Sequence, residues 1–284
     1  MKPFSTPLRA IATACLMPGL FLWTGQAAAA PEMIDVDGGR IAYETCGTGP
    51  ETLVLIHDGI LDSSAFDSVW PGLCETFRVI RYDRRGYGTS PAATAPYDAV
   101  ADLAAVMRAN GTDKATLVGS SAGGGVAVEF ALTHPEAVDR LVLVGAAVNG
   151  FRPSEHFMRR MANLIALLSA GRLEDALRDP YILTPQADAA RAEVAADLIA
   201  HPGNFGAGRM MKTGPDIMPR LGEIGVPTLI VTGEVDAPDV HAHAGALEAL
   251  IPGARRIVMP EGGHFIYLER PTAFVEMVRG FAAP

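Results

Sequence analysis

Residues 117–130 read LVGSSAGGGVAVEF, with two serines and four glycines set between an apolar run and a helical pattern. Neither residue type adds core packing there, and glycine weakens a helix by about 1 kcal/mol relative to alanine. Chemistry accounts for them better. Gly119-Ser120-Ser121-Ala122-Gly123 is a G-x-S-x-G segment that follows a strand pattern and opens a helix pattern, the context in which a strained turn presents a serine hydroxyl. Gly119 and Gly123, two residues to either side of Ser121, let strand and helix cross closely, and Gly124 and Gly125 extend that approach.

A serine hydroxyl is a poor nucleophile at neutral pH. Acyl transfer by Ser121 therefore requires a base to take its proton and a third group to orient that base. Both should stand at strand ends later in the chain. In VMPEGGHFIYLERP, His264 follows the last strand pattern behind two glycines, and in LIVTGEVDAPDV, Asp236 stands just past a strand that ends at Gly233. Asp239 and Glu234 are alternative acids. His241 and His243 are only two residues apart and face different sides of a helix, a poor pair of metal ligands, so neither metal nor cofactor is expected. A developing oxyanion needs backbone donors, commonly the N–H after the nucleophile and one from the loop after the third strand. These would be Ala122 and, in LIHDGILDSS, Gly59, with Ile60 as the alternative; His57 supports that loop.

The elements that must position these groups are legible as patterns. EMIDVDGGRIAYET reads as two alternating strands about Asp37-Gly38-Gly39, a hairpin. TLVLI, FRVIRY, ATLVG, RLVLVG, PTLIVTG and RRIVMP are brief continuous apolar runs, which fit strands covered on both faces of a parallel sheet. Val100, Leu103, Val106 and Met107 form one helical stripe, and Phe274, Val275, Val278 and Phe281 another. Strand and helix alternate, which indicates an α/β domain with right-handed crossovers. From 151 to 221 only helical pieces occur, separated by Gly and Pro, so this interval reads as a helical cap inserted into a core of 30–150 and 222–284. Its methionines (Met158, Met161, Met210, Met211, Met218) either line an adaptable apolar pocket or pack ordinarily.

The formal net charge of −9, with no basic block longer than two residues, argues against a nucleic-acid partner. Residues 1–29 run from Lys2 and Arg9 through the apolar stretch 11–23 to small residues, the order of a cleavable secretory signal. The apolar stretch is too short to span a membrane comfortably, so no stable anchor is expected after cleavage. Loss of Lys2 and Arg9, with no acid removed, takes the charge from −9 to −11. In a periplasmic or extracellular compartment Cys46 and Cys74 can bridge, although two buried thiols remain an alternative.

LIHDG, RYDRRGYGTS, VGSSAGGG, TGEVDAPD and GGHFIYLERP, taken in order from about Met33 to Ala283, resemble the successive signature segments of the α/β-hydrolase superfamily, as found in small esterases and lid-bearing hydrolases. The order Ser121, Asp236, His264 is that of the family. The resemblance implies a mostly parallel eight-stranded sheet with helices on both faces, a helical lid after the sixth strand, a Ser121–His264–Asp236 triad and an oxyanion hole from Gly59 and Ala122. It also makes Asp83, Arg85, Gly86 and Gly88 a structural turn. Two positions depart from it. Ser120 stands where many relatives carry histidine or another larger residue, and Asp58 where glycine is commoner; Asp58 is expected to point away from the reacting centre. In that topology the second strand lies beside the fourth, which implies a Cys46–Cys74 bridge. The function so implied is an exported, cofactor-independent serine hydrolase of a small ester or lactone. Carbon–carbon bond hydrolysis, peracid formation and non-catalytic ligand reception are the rival uses of the same fold.

Overall fold

The computed structural model describes residues 31–283; the expected signal segment lies outside the described residues. The eight strands are β1 (Glu32–Val36), β2 (Gly39–Cys46), β3 (Thr52–Ile56), β4 (Arg78–Tyr82), β5 (Ala115–Ser120), β6 (Val138–Val144), β7 (Thr228–Gly233) and β8 (Arg255–Met259). They form one sheet in the order β1-β2-β4-β3-β5-β6-β7-β8. Only β1–β2 and β2–β4 pair antiparallel; the remaining ladders are parallel.

Successive residues of a strand face opposite sides of the sheet, and both sides here are apolar and covered. Val54, Ile56, Leu117, Leu141 and Leu143 point to one face, where Leu103, Val106 and Val128 cover them. Leu53, Leu55, Val118, Val142 and Val144 point to the other, against Phe66, Leu73, Phe274 and Val278. This double burial is why the central strands read as continuous apolar runs. The edge strand β8 departs from that expectation: Ile257 and Val258 are exposed, at 39% and 42%. These successive residues point to opposite faces, so β8 is open to solvent on both sides of the sheet.

Between β6 and β7 the chain forms helices Glu155–Ser169, Leu173–Ala176 and Asp188–Ala200 and no strand. Ser154 caps the first through a bond from Phe157 N–H to its Oγ. Leu164, Leu177, Ile182 and Val194 of this insertion join the second apolar cluster. Of the five methionines considered above, Met161 alone lines the cavity next to Ser121. Met158 and Met210 are exposed, and Met211 and Met218 pack on the opposite side of the sheet.

The sulfurs of Cys46 and Cys74 are bonded, with the Cα atoms 5.5 Å apart. Cys46 ends β2 opposite Val79 of β4, so the bridge ties the sheet to the helix that precedes β4.

Candidate active site

Ser121 stands directly after β5, before helix Ala122–Thr133, with φ 48° and ψ −114°. This strained backbone is held on both sides. Ser121 N–H donates to Val144 of β6 at 2.8 Å, and its carbonyl accepts from Gly124 and Ala147 at 3.0 and 2.9 Å. A Cβ at Gly123 would collide with the carbonyl oxygens of Ile56 and His57, and one at Gly124 would meet Ala146 Cβ at 2.5 Å. The glycine-rich run is therefore dictated by the crossing of this helix over β3 and β6.

His264 follows β8. Its backbone N–H donates to Ile182 O of the insertion at 2.9 Å. Its Nδ1 lies 3.1 and 3.0 Å from Oδ1 and Oδ2 of Asp236, which is almost fully buried. Burial of the imidazole lowers its pKa, but the Asp236 charge and hydrogen bond outweigh this, and the value is raised overall. Asp236 also accepts from Ala237 N–H at 2.7 Å. The alternative acids are occupied elsewhere. Asp239 accepts from Ser154 N–H and Oγ at 2.5 and 2.7 Å, and Glu234 from Glu261 N–H at 3.0 Å.

Gly59 and Ala122 adjoin: a Cβ built on Gly59 would lie 3.5 Å from that of Ala122. The Gly59 N–H has no acceptor among the described residues, whereas the Ile60 N–H is taken by Asp58 Oδ1 at 2.6 Å. Gly59 is thus the free donor of the two. His57 is fully buried, and burial keeps its pKa well below the ordinary value. Its neutral ring accepts Arg84 N–H at Nε2 and lies 2.8 Å from Asp58 O at Nδ1, so it braces the loop. Asp58 does border the cavity, yet its oxygens are engaged by the N–H groups of Ile60 and Leu61 and by the Tyr267 hydroxyl.

Ser121, His264, Asp236 and Gly59 line one cavity of about 330 Å³, bounded on the insertion's side by residues such as Phe157 and Leu164. The turn after β4 is structural, as expected. Asp83 accepts from Ser63 and Thr89, and Arg85 makes paired bonds of 2.7 and 2.6 Å to Asp102.

Three contributors escaped the sequence reading. Gly145, after β6, has φ +52°, and a Cβ there would lie 2.8 Å from His264 Cε1. Glu269 bonds Gly263 N–H and Thr184 N–H, at 2.8 and 2.9 Å, tying the His264 loop to the insertion. Glu269 lies within the GGHFIYLERP segment, as does Gly263, but Thr184 is remote in sequence. The third is a polar group in which Asp62, Asp197 and His201 bring possible metal-ligating atoms within 4.8 Å of one another. Mutual hydrogen bonds account for it: His201 Nδ1 lies 2.7 Å from Asp62 and 3.3 Å from Asp197, and Asn204 Nδ2 donates to Asp62 at 3.1 Å.

A strained serine turn on a sheet of this order, with a hydrogen-bonded histidine and carboxylate beyond the carboxyl ends of β8 and β7, is the arrangement of a class of α/β enzymes. The chain belongs to the alpha/beta hydrolase fold family, whose model matches residues 52–271, and it is a hydrolase. A pimeloyl-acyl-carrier-protein methyl ester esterase of Edwardsiella ictaluri (strain 93-146) is 28% identical to it over 258 residues, 84% of this chain and 96% of that protein. Among solved structures, Est816, an N-acyl homoserine lactone degrading enzyme, superimposes with TM-score 0.73 at 28% identity, covering 88% of this chain and all (100%) of that one. The esterase RhEst1 from Rhodococcus sp. ECU1013 does so with TM-score 0.74 at 27% identity, over 89% and 98% of the two chains.

Proposed function

We propose that the chain is an exported serine hydrolase that cleaves a small ester or lactone through Ser121, His264 and Asp236. The observation that carries this reading is the bond of His264 Nδ1 to Asp236, 3.0 Å, at the wall of a cavity that Ser121 also lines. With Nδ1–H committed to the carboxylate, Nε2 is the basic nitrogen. His264 takes the Ser121 proton as Oγ attacks the carbonyl carbon, and the N–H groups of Ala122 and Gly59 receive the oxyanion. Collapse breaks the carbon–oxygen bond of the leaving group, which takes the proton from His264, and leaves an acyl-Ser121. Water, deprotonated by His264, then releases the acid and restores the serine. No cofactor enters these steps. The methyl ester esterase and lactone-degrading activities named for the relatives agree with an ester or lactone substrate, and the insertion over the cavity would act as its lid.

Ser121→Ala should lower kcat on a small ester by about 10⁵- to 10⁶-fold with an unchanged melting temperature, and a fluorophosphonate probe should label the parent at Ser121 alone. Undiminished hydrolysis by the folded variant rejects the mechanism. Export is supported by the order of residues 1–29 and by the Cys46–Cys74 bond, which persists in oxidising compartments. A mature N-terminus near residue 30 in the exported fraction is expected, and an intact first residue in the cytosol would exclude export.

A further inference from the structure

The cavity beside Ser121 is largely apolar, and among the described residues one lysine or arginine lines it, Arg160 of helix Glu155–Ser169. Its side chain is 12% exposed. Nε–H donates to Asp179 Oδ2 at 2.7 Å, and the guanidinium lies 5.1 and 6.0 Å from the ring centres of Tyr181 and Phe157. A guanidinium carries five N–H donors. Beyond Nε–H, the only polar contact among the described residues is from Nη1 to the weakly accepting Met161 sulfur at 4.0 Å. The four Nη–H groups therefore have no oxygen acceptor among the described residues. The charge also reaches the reacting centre, since it opposes protonation of His264.

The carboxylates that share the cavity leave Arg160 unserved. Asp236 holds His264, Asp239 holds Ser154, and Asp58 holds two backbone N–H groups and Tyr267. His243 is no competing cation there, because burial pushes its pKa down to about 4.

We infer that Arg160 determines specificity: the cavity takes esters bearing a carboxylate remote from the scissile carbonyl, received by the free Nη edge of the guanidinium. This rests on the hydrolase reading above. The planar fork of Arg matches a carboxylate through two parallel hydrogen bonds. Surrounding apolar and aromatic groups strengthen those bonds, and an uncharged substrate of the same length leaves the donors without acceptors.

The test compares monomethyl esters of linear dicarboxylic acids with methyl esters of monocarboxylic acids of equal length. The parent enzyme should favour the half-ester of best-fitting length in kcat/KM by about tenfold or more. Arg160→Gln should bring that ratio towards unity, mainly through KM, and Arg160→Lys should restore part of it. Equal kcat/KM for both series in the parent, or an unchanged ratio in Arg160→Gln, overturns the inference. Should Arg160→Gln fail to fold, Arg160→Lys decides, because it keeps a cation beside Asp179 without the fork and must still lower the ratio.

A second readout needs no turnover. Half-esters should raise the melting temperature of Ser121→Ala more than neutral esters do, and the difference should vanish in Ser121→Ala/Arg160→Gln. Half-ester preference in binding without hydrolysis by the parent sinks the hydrolase reading alone. Hydrolysis of neutral esters with no preference in either assay sinks anion recognition alone.

Discussion

The hydroxyl of Tyr267 donates to Asp58 at 3.1 Å and accepts from Ser120 at 3.4 Å, so a single buried phenol joins the loop after β3 to the residue before Ser121. The three side chains form one network beside Ser121. Burial, and next the Asp58 charge, push the Tyr267 pKa well above its ordinary value, so the phenol keeps its proton and remains a donor. Tyr267→Phe would leave Asp58 Oδ2 buried without that donor, which costs about 1–3 kcal/mol. Denaturant unfolding should show this loss, together with a lower kcat as Asp58 turns towards the oxyanion site. Unchanged stability and kcat would remove the network from the account.

Asp236→Asn separates orientation of the base from its basicity. In the parent, kcat/KM should rise with pH through a His264 pKa above the ordinary 6.5, because only the neutral imidazole accepts the serine proton. The variant loses the carboxylate that raises this pKa and keeps the burial that lowers it, so its acid limb should shift to lower pH. The rate should nevertheless fall by about 10³- to 10⁴-fold, since the amide no longer enforces the tautomer with Nε2 free. A pH–rate profile shows both effects, and an acid limb that stays in place would mean another group sets it.

How far the sequence carried this description depends on how local each feature is. The turn at Ser121 was legible because it is written within five residues, and the loops of Asp236 and His264 because one follows a strand ending at Gly233 and the other sets two glycines between the last strand and the histidine. The double burial of β3, β5 and β6 was visible as unbroken apolar runs, but the same signal in β8 gave no hint that Ile257 and Val258 face solvent. Which neighbour covers a strand is a property of sheet order. Gly145 and Glu269 were silent for a related reason: the imidazole that excludes a Cβ at 145, and the Thr184 N–H that Glu269 bonds, belong to segments remote in sequence. Arg160 was one of many polar positions on an amphipathic helix until the helix was packed against the cavity.

Gly145→Ala tests the steric demand at His264. A Cβ there would stand 2.8 Å from Cε1 and 3.0 Å from Nδ1 of the imidazole, at a φ of +52° that alanine adopts with strain. Relief requires the ring to move off Asp236. A displacement near 1 Å in a catalytic group costs about 10²-fold in rate, so kcat/KM should fall by that order while the melting temperature drops modestly. If activity and stability decline in proportion on activity–temperature curves, the glycine serves folding alone.

The group at Asp62, Asp197 and His201 predicts how stability responds to pH. Asp197 lies on helix Asp188–Ala200 of the insertion, whereas Asp62 caps the short helical turn Ser63–Phe66 three residues beyond Gly59, so their proximity ties insertion to core. Burial, then the neighbouring Asp62 charge, raise the Asp197 pKa from 3.8 to about 7. His201 is raised too: burial lowers its pKa, but the hydrogen bond with Asp197 and the nearby Asp62 charge outweigh it. In both cases the folded chain holds a proton that the unfolded chain has already released. Stability from Asp197 is complete below pH 4 and lost as pH rises towards 7, and that from His201 is lost as pH rises past 6.5. Asp62 acts oppositely, its pKa being lowered, for although burial opposes this, hydrogen bonds from Ser64 and Asn204 prevail; its contribution is lost only as pH falls below its ordinary 3.8. Two buried histidines act against this over the same range, since burial lowers the pKa of His57 and takes that of His243 down to about 4, so the diagnostic quantity is the difference between variant and parent. Asp197→Asn, which cannot ionise, should gain melting temperature relative to the parent as pH rises from about 4 to 7. Parallel curves for parent and variant would show that Asp197 does not hold its proton in the folded protein.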